Sequence, residues 1–272
     1  MTQVAAIQMV SGPEVGENLD TASELIKQAV DDGAKLVVLP ENFAFIGLNE
    51  EDKLTVQEEY GAGPLQAFLS KEAARHKIWL VGGTIPLASQ HKDKVYGACL
   101  LYDPTGRCVA HYNKIHLFDV QLSENEDEHY QESATIQAGE EVVVADTPFG
   151  HLGLAVCYDL RFPELFRHML DEDMNVIALP SAFTYTTGKA HWEPLVRARA
   201  VENLCYVIAS NQGGHHVNGR DTFGHSMIVN PWGEITAALT DGPGVALADL
   251  DPEHLHQTRS NFPAIDHRKL KH

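Results

Sequence analysis

The sequence contains little that is typical of a secreted, membrane-spanning or metal-binding protein. Its 272 residues include only four cysteines, which is too few for a disulfide scaffold, and no CxxC pair indicates zinc. The 15 histidines show no HExxH or similar ligand spacing. The N-terminus has no basic region of the signal-peptide type, and no apolar run approaches the roughly 18 residues that span a bilayer. We therefore expect a cytoplasmic protein with reduced thiols and with neither a metal nor a cofactor.

Positive charge is also scarce in this chain. Lys and Arg total 20 while Asp and Glu total 38, so the net charge is −18. Such a surface repels phosphate backbones and anionic lipids, so we expect neither a nucleic acid nor a membrane as a partner. An anionic substrate would require a local basic pocket.

The pattern of apolar segments predicts one α/β domain over residues 1–272. In the first third, predicted strands at 4–10, 35–40 and 78–86 alternate with predicted helices at 18–32 and 64–77. Asn18 is the predicted N-cap of the first helix. The later predicted strands are at 96–103, 107–113, 141–146, 151–156, 175–180, 204–210, 224–230 and 244–250, with helices at 162–170 and 189–204. Only the polar segment 119–140 has no pattern, and a loop of that length is usually functional or mobile.

Three residues with reactive side chains come just after predicted strands. They are Glu41, Lys114 and Cys157. Ligand sites of open α/β folds gather at the carboxyl ends of strands, so these side chains can converge at one sheet edge. An ammonium beside a thiol lowers the thiol pKa and can stabilise an oxyanion, and a glutamate can act as the base. Position alone also allows a core cysteine, a solvated lysine and a capping or ion-pairing glutamate.

The sequence around Cys157 reads as strand, nucleophile, sharp turn and helix, and the following helix is expected to favour the thiolate. Cys99 and Cys205 lie within predicted strands and are interpreted as inert core residues. Trp192 is also interpreted as core, and Arg199 as a buried structural arginine paired with Glu202.

The segments LPENF, YNKIHLFD and AVCYDLRFPEL around these three residues resemble the signature blocks of the nitrilase (carbon–nitrogen hydrolase) superfamily. The resemblance continues through residues 180–203 and 224–234, so it covers nearly the whole chain. It implies a four-layer αββα sandwich, a Glu–Lys–Cys triad and a homodimer or higher homo-oligomer. A second glutamate often assists in this family, and Glu132 matches it. The backbone N–H of Tyr158 is expected to hold the oxyanion together with Lys114.

Within the superfamily the chain is most similar to the Nit branch, which implies hydrolysis of deaminated glutathione to 2-oxoglutarate and cysteinylglycine. Arg161 is placed to bind the 2-oxo acid carboxylate, unless it pairs with Asp159 or Glu164. The far end of the substrate is expected to meet His215, His216 and Arg220. Glu193 belongs either to the pocket or to an ion pair on its helix.

Other functions remain open at this point. A related enzyme could act on 2-oxoglutaramate as an ω-amidase, or on an N-carbamoyl compound. An interaction scaffold would have no need of Glu41, Lys114 and Cys157 together. A papain-like Cys–His hydrolase would not depend on Lys114, and no local signature of that class is present.

Overall fold

The computed structural model describes residues 1–122 and 129–270, which form two face-to-face β-sheets with helices outside. The first sheet has seven strands among the described residues, in the order β17-β1-β2-β3-β5-β4, with β6 paired to β5. Its central strands β1, β2 and β3 are parallel. The seven are β1 (Thr2–Gln8), β2 (Leu36–Val38), β3 (Trp79–Val81), β4 (Ile85–Ala88), β5 (Val95–Tyr102), β6 (Cys108–Asn113) and β17 (Gly244–Leu250).

The second sheet has six strands in this part of the chain, in the order β16-β15-β12-β11-β10-β9, with β10, β11 and β12 parallel. These are β9 (Val144–Thr147), β10 (Gly150–Leu154), β11 (Val176–Ser181), β12 (Tyr206–Asn211), β15 (Met227–Val229) and β16 (Ile235–Ala238). Two short hairpins lie outside both sheets. They consist of β7 (Asp119–Gln121) with β8 (His129–Gln131), and β13 (Gly213–His215) with β14 (Asp221–Phe223).

The burial pattern of β1 shows why the molecule has four layers. Val4 and Ala6 face the second sheet in the larger core cluster, whereas Ala5 and Ile7 pack in a second cluster with residues of α1 and α2. Successive side chains of a strand point to opposite faces, so a strand buried on both faces separates two cores. Helices α3 and α4 cover the other face of the second sheet, which confirms the predicted αββα sandwich. The helices are α1 (Val15–Asp31), α2 (Pro64–His76), α3 (Pro163–Asp171), α4 (Tyr185–Asn203) and α5 (Pro252–Asn261).

Several predicted boundaries were wrong. Helix α1 begins at Val15, so Asn18 lies inside it; its buried side-chain amide donates to the carbonyls of Gly12 and Ala44 instead of capping. The predicted strand 78–86 is divided into β3 and β4. The segment between them leaves the sheet at Gly83, whose φ of +57° belongs to the left-handed region.

The described parts of the segment 119–140 contain regular structure that its polar sequence did not indicate. Strands β7 and β8 pair antiparallel, and a 3₁₀ turn follows at Glu132–Ala134. Residues 123–128 of this segment lie outside the described residues. The hairpin returns the chain to Phe118, and this return places Glu132 beside Lys114. No helix in the described ranges is long and apolar enough to cross a membrane.

Candidate active site

The three candidate residues meet in one cavity, although they follow strands of two different sheets. Glu41 comes after β2 and Lys114 after β6, both in the first sheet, while Cys157 comes after β10 in the second. All three line an open cavity of about 1070 Å³. The expected convergence is present, but the strands that precede these residues belong to two sheets and not to one.

Lys114 is buried between two carboxylates. Its ammonium Nζ lies 2.8 Å from Glu41 Oε1 and 2.9 Å from both carboxylate oxygens of Glu132. The residue is only 2 % exposed, which excludes an ordinary solvated lysine. Burial by itself lowers the pKa of Lys114, but the charges of Glu132 and Glu41 outweigh it and hold that pKa well above its usual value. The ammonium is therefore charged at neutral pH.

Glu132 is held in place by the chain that carries it. The backbone N–H of Phe118 donates to Glu132 Oε2 at 2.7 Å, and the N–H of Glu132 donates to the carbonyl of Phe118 at 3.3 Å. This two-way contact closes the base of the β7–β8 hairpin. The carboxylate therefore reaches Lys114 from a fixed backbone position.

The Glu41 segment is held by polar contacts from both sheets. The side-chain amide of Gln212, just after β12, donates to the carbonyl of Glu41 at 3.0 Å. Asn42 has a φ of 55°, and its N–H donates to Thr84 Oγ1 at 2.9 Å. Such contacts fix a backbone conformation that non-glycine residues seldom adopt.

Cys157 occupies a sharp turn with a φ of 47°, which is uncommon for a residue with a side chain. A 3₁₀ turn runs from Cys157 to Arg161, and α3 begins only at Pro163. Burial is the main cause that raises the pKa of the thiol, and the charge of Glu41 raises it further. Lys114 and a backbone hydrogen bond at Ala182 lower this pKa, but by less. These causes act against a thiolate in the resting site, so the expected stabilisation of the thiolate by the following helix stays a prediction.

Two guanidinium groups also line the cavity. Arg161 Nη1 lies 3.2 Å from His191 Nδ1, and its Cζ lies 5.7 Å from the ring centroid of Tyr158 and 5.3 Å from that of Phe183. Among the described residues, Arg161 forms no ion pair with Asp159 or Glu164, so that alternative is not realised.

The second guanidinium belongs to Arg220. Its Nη2 donates to the carbonyl of Ala182 at 2.6 Å, and its Cζ lies 5.5 Å from the ring centroid of Tyr130. Lys53 lines the same cavity and donates to Glu50 at 2.6 Å. Burial raises the pKa of Glu50, but the positive charges of Lys53, Arg220 and Lys114 outweigh it and lower that pKa overall. The cavity therefore carries the local positive charge that an anionic substrate requires.

The two histidines predicted to bind substrate do not line this cavity. His215 is exposed, and its Nδ1 lies 2.7 Å from Asp221 Oδ1. His216 is 1 % exposed, and its ring nitrogens lie 2.8 Å from Ser11 O and 2.8 Å from Thr222 Oγ1. Because both ring nitrogens of His216 are used inside the fold, we do not carry either histidine into the substrate-binding set.

The residues assigned to structural roles lie where expected. Cys99, Cys205 and Trp192 are fully buried. Arg199 is nearly so, and its Nη1 donates to Glu202 Oε1 at 2.6 Å. Glu193 lies 3.3 Å from Arg197 one turn further along α4, so the ion-pair interpretation of Glu193 was correct.

Lys53 lines the cavity but was not among the residues predicted from the sequence, and Asp159 was considered there only as a partner for Arg161. Lys53 belongs to a 3₁₀ helix, Glu50–Val56, in a stretch with no apolar period, so no pattern indicated it. Asp159, two residues after Cys157, is fully buried. An aspartate is seldom buried unless other groups pair with it, so its burial points to a structural or functional role. Within residues 1–122 and 129–270, no group of three or more His, Cys, Asp or Glu side chains is arranged to hold a metal ion.

This chain belongs to the carbon–nitrogen hydrolase family, whose sequence profile matches residues 3–260. A relative from Synechocystis, named deaminated glutathione amidase, is 45 % identical over 97 % of this chain and 97 % of its own. The crystal structure of Saccharomyces cerevisiae Nit3 superposes with a TM-score of 0.88 at 33 % identity, covering 99 % of this chain and 97 % of that one. The Caenorhabditis elegans NitFhit protein gives a TM-score of 0.91 at 36 % identity, but 98 % of this chain covers only 65 % of that longer one.

Proposed function

We propose that this protein is a thiol amidase that hydrolyses deaminated glutathione to 2-oxoglutarate and cysteinylglycine. The observation that carries the proposal is the single cavity in which Glu41, Lys114 and Cys157 meet two guanidinium groups. Deaminated glutathione has an amide flanked by a 2-oxo acid carboxylate and a glycine carboxylate, so it needs both the nucleophile and the cations. The name of the Synechocystis relative supports the same substrate.

The first half of the reaction forms a thioester. Because burial and the charge of Glu41 raise the pKa of the Cys157 thiol, Glu41 takes the thiol proton as the sulfur attacks the amide carbonyl. The Lys114 ammonium and the backbone N–H of Tyr158 stabilise the negative charge that develops on the carbonyl oxygen. Glu41 then gives the proton to the leaving nitrogen, the C–N bond breaks, and cysteinylglycine departs as the amine.

The second half releases the acid. Glu41 takes a proton from a water molecule, the resulting hydroxide attacks the thioester carbonyl, and the same proton returns to the departing sulfur of Cys157. Glu132 contacts Lys114 through both of its oxygens, so its role in this scheme is to orient the ammonium. In the bound substrate, Arg161 and Arg220 each receive one of the two carboxylates.

Mass spectrometry of the products tests this proposal, with deaminated glutathione and 2-oxoglutaramate offered in parallel. We expect preference for deaminated glutathione, and a loss of turnover of at least about 1,000-fold in Cys157→Ala. Cys108→Ala is the matched control, because Cys108 is half-buried and does not line the cavity.

The other outcomes of this assay are equally informative. Preference for 2-oxoglutaramate would move the assignment to an ω-amidase and leave the mechanism in place. Full turnover by Glu41→Gln would refute the proposed base. A failure to hydrolyse either amide would refute the proposed substrate class.

We further propose that residues 1–272 form one domain that works in the cytoplasm as a homo-oligomer. The four cysteines are all unpaired, which supports a reducing compartment. The homo-oligomer rests on the family resemblance alone. Light scattering after size exclusion measures the mass directly. A species of 30.0 kDa at assay concentration, the mass of one chain, would contradict the proposed homo-oligomer.

A further inference from the structure

Asp159 is a buried carboxylate that lies outside the cavity but directly behind it. The side chain is fully buried and does not line the cavity. Its Oδ2 accepts hydrogen bonds from the backbone N–H of Val156 at 2.8 Å and from the Tyr112 hydroxyl at 2.7 Å. Its Oδ1 accepts from the backbone N–H of His116 at 3.1 Å and from His116 Nδ1 at 2.7 Å. The two backbone N–H groups can only donate, so the aspartate is the acceptor in both of those contacts.

These contacts connect the two segments that carry Lys114 and Cys157. Tyr112 and His116 lie two residues before and two residues after Lys114. Val156 precedes Cys157, and Asp159 follows it by two. One carboxylate therefore joins both flanks of the lysine to both flanks of the cysteine.

The connection matters because the two segments come from different sheets. Lys114 follows β6 of the first sheet and Cys157 follows β10 of the second, so no ladder of strand hydrogen bonds sets their separation. Cys157 also has the uncommon φ of 47°, which persists only where surrounding contacts hold it. The N–H of Val156, bound to Asp159, is one such contact.

From this geometry we infer that Asp159 is a positioning residue, which fixes the Cys157 turn against the Lys114 segment through Tyr112, His116 and Val156. The inference rests on the roles proposed above for Cys157 and Lys114. Burial and the charge of Asp159 both raise the pKa of Tyr112 well above its usual value, so the phenol keeps the proton that it donates.

The chemistry of the site requires a carboxylate and not an amide. A carboxylate offers two acceptor oxygens, and here each one faces two donors. An asparagine of the same shape has one oxygen and one NH₂ group, so two of the donors would face another donor. Asp159→Asn therefore breaks about half of the contacts while nearly preserving the volume.

The test measures kcat, KM and the rate at which iodoacetamide alkylates Cys157 in Asp159→Asn. A displacement on the order of 1 Å at reacting groups costs about 100-fold, so we expect kcat to fall by about that factor while KM changes by less than about threefold. Alkylation of Cys157, followed by peptide mass spectrometry, should slow by at least about tenfold, because the thiol is no longer aligned with its base.

The Cys108 peptide of the same sample is the internal reference. Asp146→Asn is the matched control, because Asp146 is an exposed aspartate 3.0 Å from a histidine and away from the cavity.

A purely structural role would lower the thermal midpoint but leave kcat per folded molecule unchanged. A folded Asp159→Asn with kcat and alkylation rate within about threefold of the parent would therefore overturn the inference. If that variant fails to fold, Tyr112→Phe removes a single donor and should lower kcat by about tenfold with KM retained; an unchanged kcat there would also overturn it. The alkylation arm needs no substrate, so it still tests Asp159 if the parent does not hydrolyse deaminated glutathione.

Discussion

The charges around Lys114 give this residue two separate tasks. Its ammonium pairs with the buried carboxylate of Glu41 and the partly buried one of Glu132, which lets both lie within hydrogen-bond distance of one group. In the proposed reaction the same ammonium stabilises the oxyanion. Folding and catalysis therefore depend on the same positive charge.

Replacing Lys114 with methionine should lower both the stability of the fold and the amide turnover. The change keeps much of the side-chain volume but leaves the buried carboxylate of Glu41 and the partly buried one of Glu132 without this cation. We expect the free energy of unfolding to fall by about 3–5 kcal/mol in urea titrations, and amide turnover to disappear. Lys27→Met is the matched control, since Lys27 forms an exposed ion pair with Asp31 and should change stability by less than about 0.5 kcal/mol. Retained turnover in a folded Lys114→Met would rule out the proposed oxyanion role.

His216 is a candidate source of acid sensitivity. Burial is the main cause that lowers its pKa, and the positive charge of Arg220 adds to the effect. A histidine with a lowered pKa in the folded state stays neutral there, while the unfolded chain takes up a proton below about pH 6.5. The unfolded state then binds more protons, so stability falls as the pH falls.

Urea unfolding at pH 7.5 and 5.5 tests whether stability falls as the pH falls. We expect the parent protein to lose about 1 kcal/mol more than His216→Gln over this range, because the variant has no such proton to take up. His91→Gln, at an exposed position, controls for the removal of a histidine as such. An equal loss in parent and His216→Gln would assign the acid sensitivity to other groups.

At the scale of elements, the ends of strands position the site. Glu41 follows β2 after two residues, Leu39 and Pro40, and the neighbouring strand β3 ends just before Gly83. A Cβ atom at Gly83 would lie 2.1 Å from the carbonyl oxygen of Pro40. At the break between β3 and β4, the backbones of Gly83 and Pro40 therefore approach closely, next to the proposed base Glu41.

Gly83→Ala tests this close approach. We expect the clash to displace Pro40, to destabilise the fold by about 2–3 kcal/mol and to reduce kcat, since Glu41 is the next residue. Gly61→Ala separates the two causes, because Gly61 also has a positive φ of +86° but nothing lies within 4 Å of its added Cβ. Equal losses of stability in the two variants would attribute the effect to φ strain alone.

At the scale of the whole molecule, the net charge and the cavity act in opposite directions on an anionic substrate. The chain carries −18, whereas Arg161, Arg220 and Lys53 line the cavity. Salt screens charges more than about 8–10 Å apart much more strongly than close, partly buried ones. Added salt should therefore weaken the general repulsion more than the local attraction.

Steady-state kinetics at ionic strengths of about 0.01 and 0.15 M test this balance. For deaminated glutathione we expect kcat/KM to rise by about two- to tenfold as salt is added. A neutral amide of similar size is the control and should show little change. A fall in kcat/KM with salt would mean that local attraction by the cavity dominates over the whole surface.

Much of the architecture was readable from local patterns. Strand β17 was predicted at its observed residues, and Pro64 begins α2 as expected. The two short hairpins and α5 were missed, because their residues are polar and half exposed and so lack a clear apolar period. Of these elements, the β7–β8 hairpin matters most for the site, since it carries the chain to Glu132.

The sequence by itself indicated the family, most of the strands and helices, and Glu41, Lys114 and Cys157 as candidate site residues, because residue type and local period are properties of the chain. Only the tertiary structure decided which side chains share a cavity. It brought Lys53 and Arg220 into it, left His215 and His216 outside, and surrounded Asp159 with donors from two sheets. Burial and charge pairing depend on residues far apart in sequence, so the raised pKa of the Cys157 thiol follows only from the packed fold.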